Sequence, residues 1–357
     1  MSETPVGQLA EDLAYPAFNP AFVPIEVDRN TIEICIGPWT GPSYTVHDAD
    51  GDGVIADILD GIDGETHVET LLEPVEEADH EEVTQFLRTL ADEAVVYDAA
   101  DRDPGAWAHL RLRDQFDQSE RQRLESRRVL LVGTGAMQRQ IATDLSSLGL
   151  SEVGLVNPTA DAAVDGDAGD GVVEFDAASL DEAVAAADFV VHTASRPDPN
   201  FVSSVDEATQ EHGTPWSSVR VHGFDGFVGP TIFPGETACF DCFTERTMAN
   251  VSDPSRYRSF RQHFAERPEA TQLRLPGLER MLAGYLVMDL VNLLAFGTGF
   301  TAGRVFVVDG TRLSVECNDV LKLPRCDTCG PETDAVSRFG GVSDIEAAAA
   351  RFDGGDG

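Results

Sequence analysis

Residues 128–138, RVLLVGTGAMQ, decide how the chain must be read. The run 128–132 is apolar without alternation after Arg128, as expected of a strand buried on both faces of a parallel sheet. It feeds into Gly133-Thr134-Gly135-Ala136 and then a helix through Leu148. Downstream, a second strand at 153–156 ends at Asn157-Pro158, and an Asp/Ala/Gly loop fills 159–171. A helix at 177–187, a strand at 189–192 and a helix at 206–211 follow. Strand–helix alternation of this kind predicts a Rossmann-like, doubly wound α/β sheet. Beyond Trp216 the strands shorten around one long apolar helix, about 277–294. Gly133 and Gly135 have the spacing of a nucleotide-binding turn, but Gln138 replaces the third glycine. Asn157-Pro158 stands where a nicotinamide site needs an acid for the ribose, which argues against a dehydrogenase. A layer of this type that binds nothing stays open.

Upstream, short strands are expected at 22–27, 31–36 and 43–46, and helices at 53–59, 65–72 and 81–92. In the last helix Val83, Phe86, Leu87 and Leu90 form one apolar stripe. Residues 20–98 therefore read as a small β-β-β-α-α-α domain. Residues 1–19 read as a loose arm, 99–126 as a solvated linker helix, 127–334 as the α/β domain and 335–357 as a mobile acidic tail.

The 357 residues carry 63 acids and 25 bases, a formal charge of −38, and the only lysine is Lys322. That surface repels phosphate backbones and excludes a nucleic-acid binder. Many acids with almost no lysine resembles the composition of halophilic proteins, whose molar salt screens self-repulsion within a few ångströms. No apolar run reaches the roughly 18 residues of a membrane span. The acidic start MSETPVGQLAEDLAYP has no signal-peptide core, so a cytoplasmic protein is expected.

Cys239-Phe-Asp-Cys242 and Cys326-Asp-Thr-Cys329 are the strongest chemical signal. Two intervening residues let both thiolates of a pair bind one ion from a tight turn, and two pairs complete a closed, structural zinc tetrahedron. Pro324 and Gly330 suit such a turn, and Cys35 and Cys317 read as core thiols. The run 48–55, DADGDGVI, matches the start of a calcium loop, but its twelfth position is Leu59 rather than a bidentate Glu. Helix capping is the better reading of those aspartates.

From 127 to 330 the chain resembles the ThiF/MoeB family of adenylating enzymes, related to ubiquitin activators. The resemblance rests on the glycine turn, ADFVVHTASRPDPNF, GFDGFVGPTIFPGETACFDCF and the paired C-x-x-C units, in that order. It is nearest the divergent branch of thiazole/oxazole-modified peptide (bacteriocin) biosynthesis, whose ending VLKLPRCDTCG resembles. Residues 20–98 resemble that branch's winged-helix, PqqD-like recognition domain. The resemblance implies a protein that binds a precursor leader peptide and delivers it to a separate YcaO-type cyclodehydratase, and it suggests a homodimer. It implies leader contacts at the edge Tyr44, Thr45, Val46 and at the wall Val83, Phe86, Leu87, Leu90. Active relatives carry an acid after the second strand, then an Arg-Gln element and a phosphate-binding lysine. Here Asn157-Pro158 and a loop without Arg or Lys stand instead, so Gly133 and Gly135 read as a vestigial site and ATP is not an expected cofactor. The rival is a working adenylating enzyme for a small sulfur-carrier or ubiquitin-like protein.

Overall fold

The computed structural model describes residues 5–28, 30–37, 43–48, 53–76, 78–93, 95–101, 118–133, 135–150, 152–156, 172–175, 180–268 and 274–330. The chain forms two compact units, Met1–Asp117 and Gln118–Gly357.

The first unit runs α1 (Pro5–Asp12), β1 (Pro16–Phe18), β2 (Val23–Asp28), β3 (Thr31–Cys35), β4 (Ser43–His47), α2 (Val54–Asp60), α3 (Val68–Leu71), α4 (His80–Asp92) and β5 (Val96–Asp98). β2, β3 and β4 form an antiparallel sheet with β3 central, and β1 pairs antiparallel with β5. Alternation in β3 turns Ile32 and Ile34 into a core shared with Ile58, Leu72 and Leu87. Glu81 and Glu82 occupy the first turn of α4, where carboxylates favour the positive end of the helix dipole.

Residues 5–19 are not the loose arm expected of them. Leu9 and Leu13 lie four apart on one helical face and are buried in the unit's core, while Pro5 sits in the first turn, where a missing N–H costs nothing. Two apolar residues make too short a stripe to announce a helix by periodicity. Cys35 is buried as expected, whereas Cys317 is exposed and is not a core thiol. Asp48 accepts from the Gly53 N–H at 2.9 Å, just before α2. Asp50, Gly51 and Asp52 lie outside the described residues, as do 102–117 of the expected linker, the loop 159–171 and the tail 335–357.

The second unit begins with α5 (Gln118–Glu125), β6 (Arg128–Gly133), α6 (Ala136–Ser147), β7 (Glu152–Val156) and β8 (Val172–Phe175). It continues through α7 (Leu180–Ala186), β9 (Phe189–Ala194), α8 (Pro199–His212), β10 (Trp216–His222) and β11 (Asp225–Val228). It closes with α9 (Phe240–Asn250), α10 (Pro254–Glu266), α11 (Pro276–Phe296), β12 (Arg304–Asp309) and β13 (Ser314–Asp319). One eight-stranded mixed sheet holds them in the order β13-β12-β11-β10-β9-β6-β7-β8. β8, β7, β6, β9 and β10 are parallel, and β10 through β13 are antiparallel. The winding reverses between β6 and β9, which opens a crevice at their carboxyl ends. α5 was expected to be solvated. Instead Leu124 is fully buried, and the Arg123 guanidinium donates to the Ala295 carbonyl at the end of α11.

Candidate functional site

Sequence-distant cysteines meet beside the antiparallel half of the sheet. Cys239 is the N-cap of α9 and Cys242 lies in its first turn, so one helix start aims both sulfurs the same way. Cys326 and Cys329 come from the turn after β13, closed by the Gly330 N–H donating to the Cys326 carbonyl at 2.9 Å. A Cβ at Gly330 would lie 2.2 Å from that carbonyl oxygen, so the turn requires glycine there. The four sulfurs lie within 4.8 Å of one another, with Cys239–Cys326 at 3.5 Å and Cys242–Cys329 at 3.4 Å. A tetrahedral Zn²⁺ with ~2.3 Å bonds needs sulfur–sulfur edges of about 3.8 Å, a spacing that falls between the two short pairs and the 4.8 Å that bounds the whole cluster. The donor set is all thiolate with no open position, which suits a structural ion.

The surroundings hold the ligands. The Leu323 N–H donates to Cys242 Sγ at 3.2 Å, and Arg246 on α9 donates to the carbonyls of Leu321 and Lys322. The Thr328 hydroxyl donates to Asp241. Hydrogen bonds to Cys242 and Cys329 push the Cys239 thiol up, while hydrogen bonding from Cys239 and Cys242 pushes Cys329 down. Crowded sulfurs thus share protons that a divalent cation would displace.

The glycine turn lies at the crevice between β6 and β9. Gly133 (φ 140°) pairs with Thr193, and Gly135 (φ 99°) precedes α6, whose free N–H groups could face a phosphate. Gln138 is fully buried on α6, donating from Nε2 to the carbonyls of Leu131 and Val156 at 3.0 and 3.4 Å. It ties the helix to β6 and β7 at the position where a G-x-G-x-x-G turn has its third glycine for close packing. The sequence reading missed Thr193 and Ser195, whose buried hydroxyls have no partner among the described residues. Two hydroxyls in HTAS carry no spacing signal of their own. Thr134, Asn157 and Pro158 lie outside the described residues. Lys322 is occupied elsewhere, with its ammonium donating to the Gly235 carbonyl at 2.6 Å.

In the first unit, β4 pairs on one side only, with β3, among the described residues. Thr45 faces solvent, while Tyr44 and Val46 pack partly on the core. The Tyr44 hydroxyl donates to Glu93 at 3.1 Å, which sets this strand beside the end of α4. The stripe on α4 divides. Val83, Leu87 and Leu90 are enclosed in the core and hold the helix in place, and only Phe86 keeps part of its ring exposed.

No family model and no curated protein sequence matches the chain. Its fold is similar to solved structures. The heterocyclase TruD aligns at a TM-score of 0.60 and 16% identity, over 89% of this chain and 43% of that one. A microcin biosynthetic enzyme, MccB, in complex with N-formylated MccA aligns at 0.59 and 13%, over 88% of this chain and 99% of that one. E. coli MccB with a MccA variant aligns at 0.58 and 13%, with the same coverage. The chain thus spans less than half the length of the heterocyclase and nearly all of MccB.

Proposed function

We propose that the protein binds the leader of a ribosomally made precursor peptide and presents it to a separate YcaO-type cyclodehydratase for azoline formation, without adenylating anything itself. One observation carries this reading: an open antiparallel edge, β4, stands beside α4 in a chain whose fold resembles a heterocyclase and a peptide-bound MccB. A peptide added to a sheet edge gains affinity from main-chain hydrogen bonds and specificity from pockets for alternate side chains. The winged-helix description of residues 20–98, the homodimer and the cytoplasmic location belong to the same proposal. The role of zinc in it is to hold α9 and the 320–330 segment together.

The test titrates leader peptides from precursor genes beside this one into the full-length protein in molar salt. Binding is expected at micromolar Kd or tighter, roughly −8 kcal/mol, because the contact is apolar and backbone-mediated. Thr45→Pro, which removes an edge N–H, should weaken it at least tenfold with the far-UV spectrum retained. Phe86→Asp should act similarly from the helix side. No binding by any neighbouring leader would overturn the leader-binding role, and robust carrier-dependent pyrophosphate exchange by the protein alone would move the assignment to the adenylating-enzyme reading.

A further inference from the structure

Beside the cysteine-bearing start of α9, the helices α9 and α10, the start of α8 and the strands β10 and β11 line a half-open cavity of about 380 Å³. At its wall lies Arg220 of β10, 4% exposed in a chain of net charge −38. Three aromatic rings surround the guanidinium: Phe243 at 4.6 Å, Phe240 at 5.0 Å and Phe227 at 5.4 Å from its central carbon. Rings attract a cation but accept no directed hydrogen bond from its edge. The Arg220 Nε is buried with no partner, and no carboxylate or carbonyl accepts from the guanidinium among the described residues.

Three acids line the cavity, and none of them hydrogen-bonds the guanidinium: the charge of Asp198 acts on Arg220 from a distance, and burial pushes the Asp225 carboxyl up. Asp198 accepts from His192 Nε2 at 2.9 Å, and Asp253 caps α10 by accepting from the Ser255 hydroxyl and the Arg256 N–H. Burial lowers Arg220 to about 10, which still leaves it charged at neutral pH. Burial, then the charges of Arg220 and Arg261, push His222 down to about 3, so the imidazole beside Phe227 and Phe260 stays neutral. A buried, charged, unpaired guanidinium is costly, and an ion pair supplied by a ligand would offset that cost.

We infer that this cavity is a binding site for a carboxylate carried on an apolar or aromatic body, with Arg220 as the carboxylate receptor and Phe240, Phe243 and Phe260 around the body. The planar guanidinium fork matches a planar carboxylate. Arg256 and Arg261 also line the cavity and balance its three aspartates, so the apolar walls around the single buried fork, rather than net charge, favour a monoanionic carboxylate. The volume lies toward the small end of ligand pockets, enough for about one large side chain with its carboxylate. The source is either a free acid or the carboxyl terminus of a peptide. The inference does not rest on leader recognition by the first unit.

Calorimetric titration of the full-length protein with four probes tests it: 3-phenylpropionate, its amide, phenyl phosphate and Gly-Gly-Phe. Saturable binding of the acid with the amide at least tenfold weaker is expected, and Arg220→Met should abolish it. That variant should melt no lower than wild type without ligand, because an unpaired buried charge has gone. Tighter binding of Gly-Gly-Phe than of the free acid identifies a peptide terminus, and the reverse identifies a free acid. If Arg220→Met does not fold, Arg220→Lys, which keeps charge but loses the fork, should bind the acid at least tenfold more weakly. Equal binding of acid and amide, tighter binding of phenyl phosphate, undiminished binding by Arg220→Met or by Arg220→Lys, or no binding in the low-millimolar range would each overturn the assignment. A folded Arg220→Met that melts below wild type would overturn it as well.

Discussion

At Gly133 the backbone of β6 passes so close to β9 that a Cβ would sit 2.0 Å from the Thr193 carbonyl oxygen, at a φ of 140°. Gly133→Ala therefore meets both a backbone clash and a dihedral that L-residues avoid. It should destabilise the full-length protein by about 3 kcal/mol, measured by denaturant unfolding, and an effect near zero would show that β9 can yield. The glycine was legible in the sequence, but its reason was not. The turn suggested a phosphate cradle, and the structure adds a packing demand from the neighbouring strand. Arg220 was illegible for the opposite reason. An arginine in the strand run SVRVH reads as solvent-facing, and only the three phenylalanines assembled from β11 and α9 show that it is enclosed.

At the scale of elements, α9 is held at its start by cysteines and along its length by Arg246 reaching the 320–330 segment. Losing one thiolate should leave three sulfurs that cannot close a tetrahedron, so metal and local stability should fall together. Protein purified without added zinc is expected to hold about one equivalent per chain, and Cys242→Ser should lose it and melt earlier. Well under half an equivalent in the wild type, or a Cys242→Ser variant that resists chelator as well as wild type, would remove the metal from the account. The site was readable because each C-x-x-C pair is local in sequence and thiolate chemistry is narrow. By contrast, α1 was missed, since Leu9 and, just beyond the helix, Leu13 carry too little pattern, and α4 was placed correctly while its stripe proved mostly core. A single apolar face does not say whether chain or ligand covers it.

For the molecule as a whole, a net charge of −38 means that folding gathers like charges whose repulsion falls steeply with ionic strength. The melting temperature should therefore rise markedly between low and molar potassium chloride, and a flat or falling trend would show that the acids are offset locally. Position along the chain adds a constraint of timing. The two cysteine pairs are separated by 83 residues, and the later pair stands behind the last two strands of the sheet. At synthesis rates of ~5–20 residues per second, the first pair would wait roughly 4 to 17 s for its counterpart. During that interval the nascent protein carries two of the four thiols that the finished site needs, so closure of the ring waits until Cys326 and Cys329 have been made. Ribosome-arrested chains stopping before Cys326 should label with a thiol reagent at Cys239 and Cys242, and released full-length chains should be protected. Equal labelling of the two would mean that the second pair does not change the exposure of the sulfurs on α9.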